Sequence, residues 1–142
     1  PYTGANTSVN DKQKKLLDGQ LKDGVPDGKW TFYYASGAVQ IEGNYSNGME
    51  TGMWYSYYRK DFPKIAKYYN NEGYMLMRAE YYDNNTIKNY QNIKCADYGD
   101  IERRIQFSYS GELEYIDAER DLGKMPPAEL NKLLVTDGLR KK

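Results

Sequence analysis

The side chains best suited to chemistry lie late in the chain. Glu112, Glu114, Asp117 and Glu119 stand close enough together for two carboxylates to divide acid and base roles, or for a cation to be held. Their spacing fits no calcium loop, and Arg103, Arg104 and Arg120 offer ordinary charge partners, so a solvated charged edge is the favoured reading. Asp83, Asp97 and Asp100 fall in loop-like sequence, where short carboxylates support turns more readily than they bind metals. Cys95 is the only cysteine, and the chain contains no histidine. That excludes an internal disulfide, a multi-cysteine zinc site and the His-based triads and metal centres. Cys95, with no His to activate it, reads as a small buried residue rather than a nucleophile. An enzyme is therefore the least favoured class, and neither a metal nor a cofactor is expected.

Binding chemistry is better supplied. The 142 residues include 16 Tyr, 2 Trp and 3 Phe, whereas Leu, Ile, Val and Phe together number only 24. So few aliphatics would suggest disorder in a strongly charged chain, yet Lys+Arg and Asp+Glu balance at 20 each. Aromatic rings must then supply the core, and aromatic rings favour strands. Basic residues scattered among acidic ones argue against nucleic-acid binding, which draws on a concentrated cationic surface. No apolar run approaches the roughly 20 residues of a membrane-spanning helix. Residues 1–20 read as a polar segment, and Pro1 to Lys15 resembles a linker left after removal of a targeting sequence. Export to the cell envelope or secretion is the expectation, with a cytoplasmic location as the alternative.

The elements that must position these rings are set by a repeat. Trp30 and Trp54 are 24 residues apart, and the same offset relates Gly24 to Gly48, Gly28 to Gly52, Tyr33 to Tyr57, Tyr34 to Tyr58, Ile41 to Ile65, Tyr45 to Tyr69 and Asn47 to Asn71. Each unit reads as a β-hairpin: Trp30 to Tyr34 is one strand and Val39 to Tyr45 its partner, joined by a turn at Ser36-Gly37. A longer glycine turn, Ser46 to Gly52, returns the chain to Trp54. Centring the hairpin on Ser36-Gly37 sets Tyr34 opposite Val39, Phe32 opposite Ile41 and Trp30 opposite Gly43, an indole over a glycine. Trp30, Phe32, Tyr34, Val39, Ile41, Tyr45, Trp54, Tyr58, Ile65 and Tyr69 then share a core face. Thr31, Tyr33, Ala38, Gln40, Glu42, Asn44, Tyr55, Tyr57, Lys64 and Tyr68 share a wet one. Lys67 replaces the Gly43 of the previous unit, and the pattern decays beyond Tyr69.

The stretch Gly43-Asn44-Tyr45-Ser46-Asn47-Gly48-Met49-Glu50-Thr51-Gly52-Met53-Trp54, followed by Tyr57-Tyr58, resembles one full MORN repeat of the variant form common in bacteria. Asp23-Gly24 through Gly28-Lys29-Trp30 and Tyr33-Tyr34 resembles the one before it. With a degenerate third hairpin the resemblance covers Leu21 to Asn84. It implies an antiparallel meander of repeated β-hairpins in an elongated curved sheet, used as a scaffold or protein-binding surface without common catalytic residues. Gly24, Gly28, Trp30, Gly48, Gly52 and Trp54 are then structural. Some bacterial members are described as antitoxins. Membrane binding is not carried over, because no polybasic cluster or amphipathic helix is visible.

Residues 85–142 continue the sheet. One strand is expected between Asn84 and Gly99, anchored by Ile87, Tyr90 and Ile93, and a last hairpin from Ile101 to Ile116. Pro126-Pro127 then introduces a short capping helix from Ala128 to Val135, which carries Leu130, Leu133 and Leu134 at helical spacing. The whole is one mainly β unit. Its outward tyrosines, Tyr33, Tyr55, Tyr57 and Tyr68, are the candidate contact surface, since rigid amphipathic rings are enriched at interfaces. The leading functional expectation is a non-catalytic interaction or scaffold protein with a protein partner, in an envelope assembly. The alternatives are an antitoxin or immunity protein and a carbohydrate-binding module.

Overall fold

In the computed structural model, residues 1–93 and 101–118 are described. They form one open sheet of ten antiparallel strands: β1 (Gly4–Val9), β2 (Lys15–Lys22), β3 (Val25–Tyr33), β4 (Val39–Ser46), β5 (Met49–Arg59), β6 (Phe62–Tyr69), β7 (Met75–Tyr81), β8 (Ile87–Ile93), β9 (Ile101–Phe107) and β10 (Leu113–Ala118). Order in the sheet follows order in the chain, so the architecture is the expected meander. No helix occurs among the described residues, and the segment expected to form a capping helix, Ala128 to Val135, lies outside them. Cys95, Asp97, Asp100, Glu119 and Arg120 also lie outside. Much of the polar N-terminal segment is strand, in β1 and β2. The strand expected after Asn84 is β8, with Ile87 and Tyr90 buried, and the last hairpin is β9–β10.

The repeat runs further than its sequence identities. Every hairpin carries one extra residue on its second strand: Leu16, Gln40, Lys64, Lys88 and Glu114. The first four of these bulges are spaced by 24 residues. A bulge leaves one residue unpaired and sharpens the local twist. It also corrects the expected register, because the extra Gln40 sets Val39 opposite Tyr33 instead of Tyr34; Phe32 still faces Ile41 and Trp30 faces Gly43.

The turns at the other end are tighter than expected. Asp23-Gly24 and Asn47-Gly48 have positive φ at both residues (51° and 81°, 50° and 80°), the geometry of two-residue hairpin turns whose twist matches that of the strands. Met49 already pairs with Ser46, so the long turn expected from Ser46 to Gly52 is replaced by Asn47-Gly48 alone. Gly28 and Gly52 lie inside β3 and β5 at φ 77° and 67°, where any side chain would be strained. There the ladder sets three residues against one. Gly28-Lys29-Trp30 face Gly19, and Gly52-Met53-Trp54 face Gly43.

That local widening lets each indole fold down over a glycine of the preceding strand. A Cβ on Gly19 would collide with the Trp30 ring, and one on Gly43 with the Trp54 ring. Each indole N–H then donates to the next carbonyl, Trp30 Nε1 to Gln20 at 3.0 Å and Trp54 Nε1 to Asn44 at 3.1 Å. The expectation that the Trp30 ring covers Gly43 is thus corrected. The two are ladder partners, but Trp30 covers Gly19 and Trp54 covers Gly43, because the indoles lean towards β2 and β4.

Directly opposed residues show where the core sits. Along one row the sheet presents Thr7, Asp18, Thr31, Glu42, Tyr55, Ala66, Ala79, Tyr90, Ile105 and Ile116, polar through β4 and apolar or aromatic from β5 onward. On the other face a row runs Trp54, Lys67, Arg78, Gln91, Arg104, aromatic at β5 and polar from β6. The core therefore changes face in the middle of the sheet. On the indole face, Tyr45 packs edge-on against Trp30 at 6.0 Å and Trp54 at 4.9 Å. On the opposite, tyrosine face, Ala66, Met77, Ala79, Tyr81, Ile87, Tyr90, Ile105 and Phe107 form a buried cluster, with Met53, Tyr55 and Ile116 at its margin. The reading of one dry and one wet face holds for the early hairpins and reverses after β6. Lys67 takes the place of the receiving glycine and Arg78 that of the indole, so the Trp–Gly contact disappears as a unit.

Candidate functional site

The candidate contact surface is built on β3, β5 and β6. Alternation puts Tyr33 on the same face as Thr31, and the row Thr31, Glu42, Tyr55 carries that face across to β5. Tyr57, two residues beyond Tyr55, continues it, and Tyr68 is reached through its ladder partner Met53. The four tyrosines selected by alternation thus share a face. Tyr55, Tyr57 and Tyr68 gather at β5–β6, while Tyr33 stands two strands away, about 10 Å by strand spacing.

Their environments differ. Tyr68 is 41% exposed, whereas Tyr33, Tyr55 and Tyr57 are half-buried. The Tyr57 hydroxyl donates to Glu42 Oε1 at 2.7 Å, and Lys29 Nζ approaches the other Glu42 oxygen at 3.5 Å. Burial, reinforced by the bond to Glu42, pushes the Tyr57 phenol well above the ordinary phenol value. Burial also raises Tyr55, with the Glu42 charge a smaller cause. The Tyr55 and Tyr57 rings stack at 6.1 Å and 27°. The result is a neutral, pinned aromatic pair flanked by an exposed ring, which suits contact at low entropic cost and not proton transfer.

Alternation alone missed two things. Tyr55 belongs partly to the second core, because its partner across the ladder is Ala66. Glu42 is the residue that orients Tyr57, a contact that depends on cross-strand distance and has no signature in spacing. A third omission did leave a signal: Tyr81-Tyr82 stand 24 residues after Tyr57-Tyr58, as these stand after Tyr33-Tyr34. Tyr34, Tyr58 and Tyr82 each close a first strand and donate a hydroxyl bond to the next repeat, at the carbonyls of Tyr57, Tyr81 and Phe107.

Gly24 and Gly48 form the tight turns, Gly28 and Gly52 the strand interruptions, and Trp30 and Trp54 are 6% and 7% exposed. The late carboxylates do not form a site among the described residues: Glu112 and Glu114 are exposed, without an ion pair. Asp83 ties turns together instead, accepting the Tyr109 hydroxyl at 3.0 Å through its side chain and Arg59 through its carbonyl. No cluster of three metal-ligating side chains, and no helix long and apolar enough to cross a membrane, occurs among the described residues. Compared with known proteins, the chain matches no family model and no curated protein.

Proposed function

We propose that this chain is a MORN-like repeat scaffold that binds a protein partner, without catalysis, through the tyrosine face of β3 to β6. The observation that carries the reading is the placement of Tyr55, Tyr57 and Tyr68 on one face of β5 and β6, with the first two rings stacked, Tyr57 held by Glu42, and Tyr68 open to solvent. Ordered rings lose little entropy on binding, so their contact area converts efficiently to affinity. A carbohydrate platform would need open, coplanar rings, whereas Tyr55 and Tyr57 face one another; the protein-partner reading is preferred for that reason.

The test is affinity capture from native cells with wild-type chain, followed by quantitative binding of the captured partner to variants. Tyr68→Ala should stay within about 0.5 kcal/mol of wild-type stability while weakening partner binding about tenfold or more. If a chain with Tyr33, Tyr55, Tyr57 and Tyr68 truncated still folds and binds with unchanged affinity, the partner sits elsewhere.

A further inference from the structure

The tight-turn end of the sheet carries a dipeptide whose own atoms can react with one another. Asn47-Gly48 is the only asparagine–glycine pair in the chain. A glycine nitrogen has no neighbouring Cβ to hinder its attack on the side-chain carbonyl carbon of the residue before it. Asp18-Gly19, Asp23-Gly24 and Asp27-Gly28 share that spacing, but a carboxylate ionised at neutral pH is a poor electrophile, whereas an amide can lose its nitrogen as ammonia. Asp18 is in addition paired with Lys15 at 2.8 Å, and Gly19 is buried under the Trp30 ring. Asn47 and Gly48 are exposed, so water reaches the pair.

The fold holds this pair away from reaction. The Gly48 N–H donates to the Pro26 carbonyl of β3 at 2.8 Å, which ties up the atom that must attack. Val25 stands beside it, since a Cβ on Gly48 would lie 3.4 Å from the Val25 Cβ. One repeat earlier the Gly24 N–H donates to the Tyr2 carbonyl at 2.8 Å in the same way. The two turns differ in what faces the residue before the glycine. The Asp23 N–H donates to the Thr3 hydroxyl at 2.9 Å, while the Asn47 N–H faces the Asp27 carboxylate at 3.5 Å. Thr3 and Asp27 are 24 residues apart, as are Asp23 and Asn47, so each turn brings together one carboxylate and one neutral side chain.

We propose that Asn47-Gly48 is a gated modification site, converted to aspartate or isoaspartate only when the β4–β5 turn lifts off Pro26. The Gly48 nitrogen gives its proton to hydroxide and bonds to Asn47 Cγ. The Cγ–Nδ2 bond then breaks, and ammonia leaves with a proton taken from water, which regenerates the hydroxide. Water opens the resulting cyclic imide at either carbonyl. One opening restores the backbone with an aspartate side chain, and the other routes the chain through the side-chain carbon as isoaspartate. Both products put a second carboxylate beside Asp27, where like charges repel. Isoaspartate also lengthens a two-residue turn whose geometry sets Ser46 opposite Met49. The modification therefore loosens the turn in which it occurs. It does not rest on the tyrosine-face proposal, because it needs no partner.

The test uses the full chain, incubated at mildly alkaline pH in buffer and in urea above the unfolding midpoint, with peptide mapping that separates aspartate from isoaspartate. In urea Asn47 is expected to convert before any other asparagine, and in buffer at least about tenfold more slowly than in urea. Val25→Ala, with an unchanged circular dichroism spectrum, should speed conversion in buffer about threefold or more by uncovering the Gly48 amide. The product is read separately: Asn47→Asp should lower the urea midpoint, and adding Asp27→Thr, which copies Thr3, should recover most of that loss. The proposal is overturned if Asn47 converts equally fast in buffer and in urea, if another asparagine converts first in urea, or if Val25→Ala leaves the rate in buffer unchanged. An Asn47→Asp chain as stable as wild type, or one that Asp27→Thr does not rescue, would overturn the loosening of the turn.

Discussion

The hairpins before and after β6 share a backbone and differ in how they hold it together. In β2 to β5 each contact is an indole pressed on a glycine, on one face, and the ladder opens to three residues against one to admit the ring. From β6 onward the ladder between hairpins stays regular through Lys67 and Arg78, and the opposite face closes over Ala66 and Ala79, both fully buried. The first arrangement concentrates stability in a few matched pairs. The second spreads it over eight mutually packed residues. A repeat backbone can thus be conserved in geometry while its core moves from one side to the other.

The sharpest break in that comparison comes from the Trp–Gly pair. Trp54→Ala should cost about 3 to 5 kcal/mol, the range for removing a buried large aromatic. Gly43→Ala should cost about 1 to 3 kcal/mol, because the new methyl occupies the place of the indole ring and the ring must leave. In the Trp54→Ala background the same Gly43→Ala change should be close to neutral, giving a coupling of about 1 kcal/mol or more in chemical denaturation. By contrast Lys67→Ala, at the repeat position of Gly43, should stay within about 0.5 kcal/mol, since no ring rests on it. Additive costs at Gly43 and Trp54 would mean that the pair is not a unit.

Alkaline pH probes both clusters at once. Tyr69, on the indole face, is pushed up to about 12 by burial and by its hydrogen bond to Glu50. Tyr81, in the second cluster, is pushed up to about 12 by burial, with the Tyr55 charge as a smaller cause. Each folded-state value lies above the ordinary 10.0, so the folded chain holds these protons more tightly than the unfolded chain. The stability this supplies is complete below pH 10 and is lost as pH rises through about 12. Thermal midpoints followed by circular dichroism should therefore be flat from neutrality to about pH 9.5 and fall steeply above 10. Tyr69→Phe and Tyr81→Phe should each flatten part of the fall. If one substitution removes all of it, a single cluster governs alkaline unfolding.

The early hairpins were legible because Trp and Gly are distinctive and their offset repeats. The face of each candidate tyrosine followed from alternation alone. What spacing could not show was the change of face: Lys67 announces that the glycine is gone, but Ala66, Met77, Ala79 and Tyr81 are types that occupy either side of a sheet. The bulges at Leu16, Gln40, Lys64 and Lys88 were equally silent, because residues as unlike as Leu, Gln and Lys perform the same backbone function. For the candidate site, Tyr57 was recognisable and its anchor Glu42 was not, since that contact is set by register across two strands.

The smallest expected effect concerns what the two regions have in common. The hydroxyls of Tyr34, Tyr58 and Tyr82 link successive repeats at the same backbone position, whichever face carries the core. Lys64 lies 5.6 Å over the Tyr58 ring and Lys88 lies 5.6 Å over the Tyr82 ring, so replacement by Phe keeps the cation–π contact and removes only the hydroxyl bond. Each of Tyr34→Phe, Tyr58→Phe and Tyr82→Phe should then cost about 0.5 to 1.5 kcal/mol in denaturant unfolding. Three similar values would identify the tyrosine ladder as a frame that is indifferent to where the core lies. A cost several times larger at Tyr82 than at Tyr34 would instead tie the ladder to the second cluster, and the two regions would differ in their frame as well as in their packing.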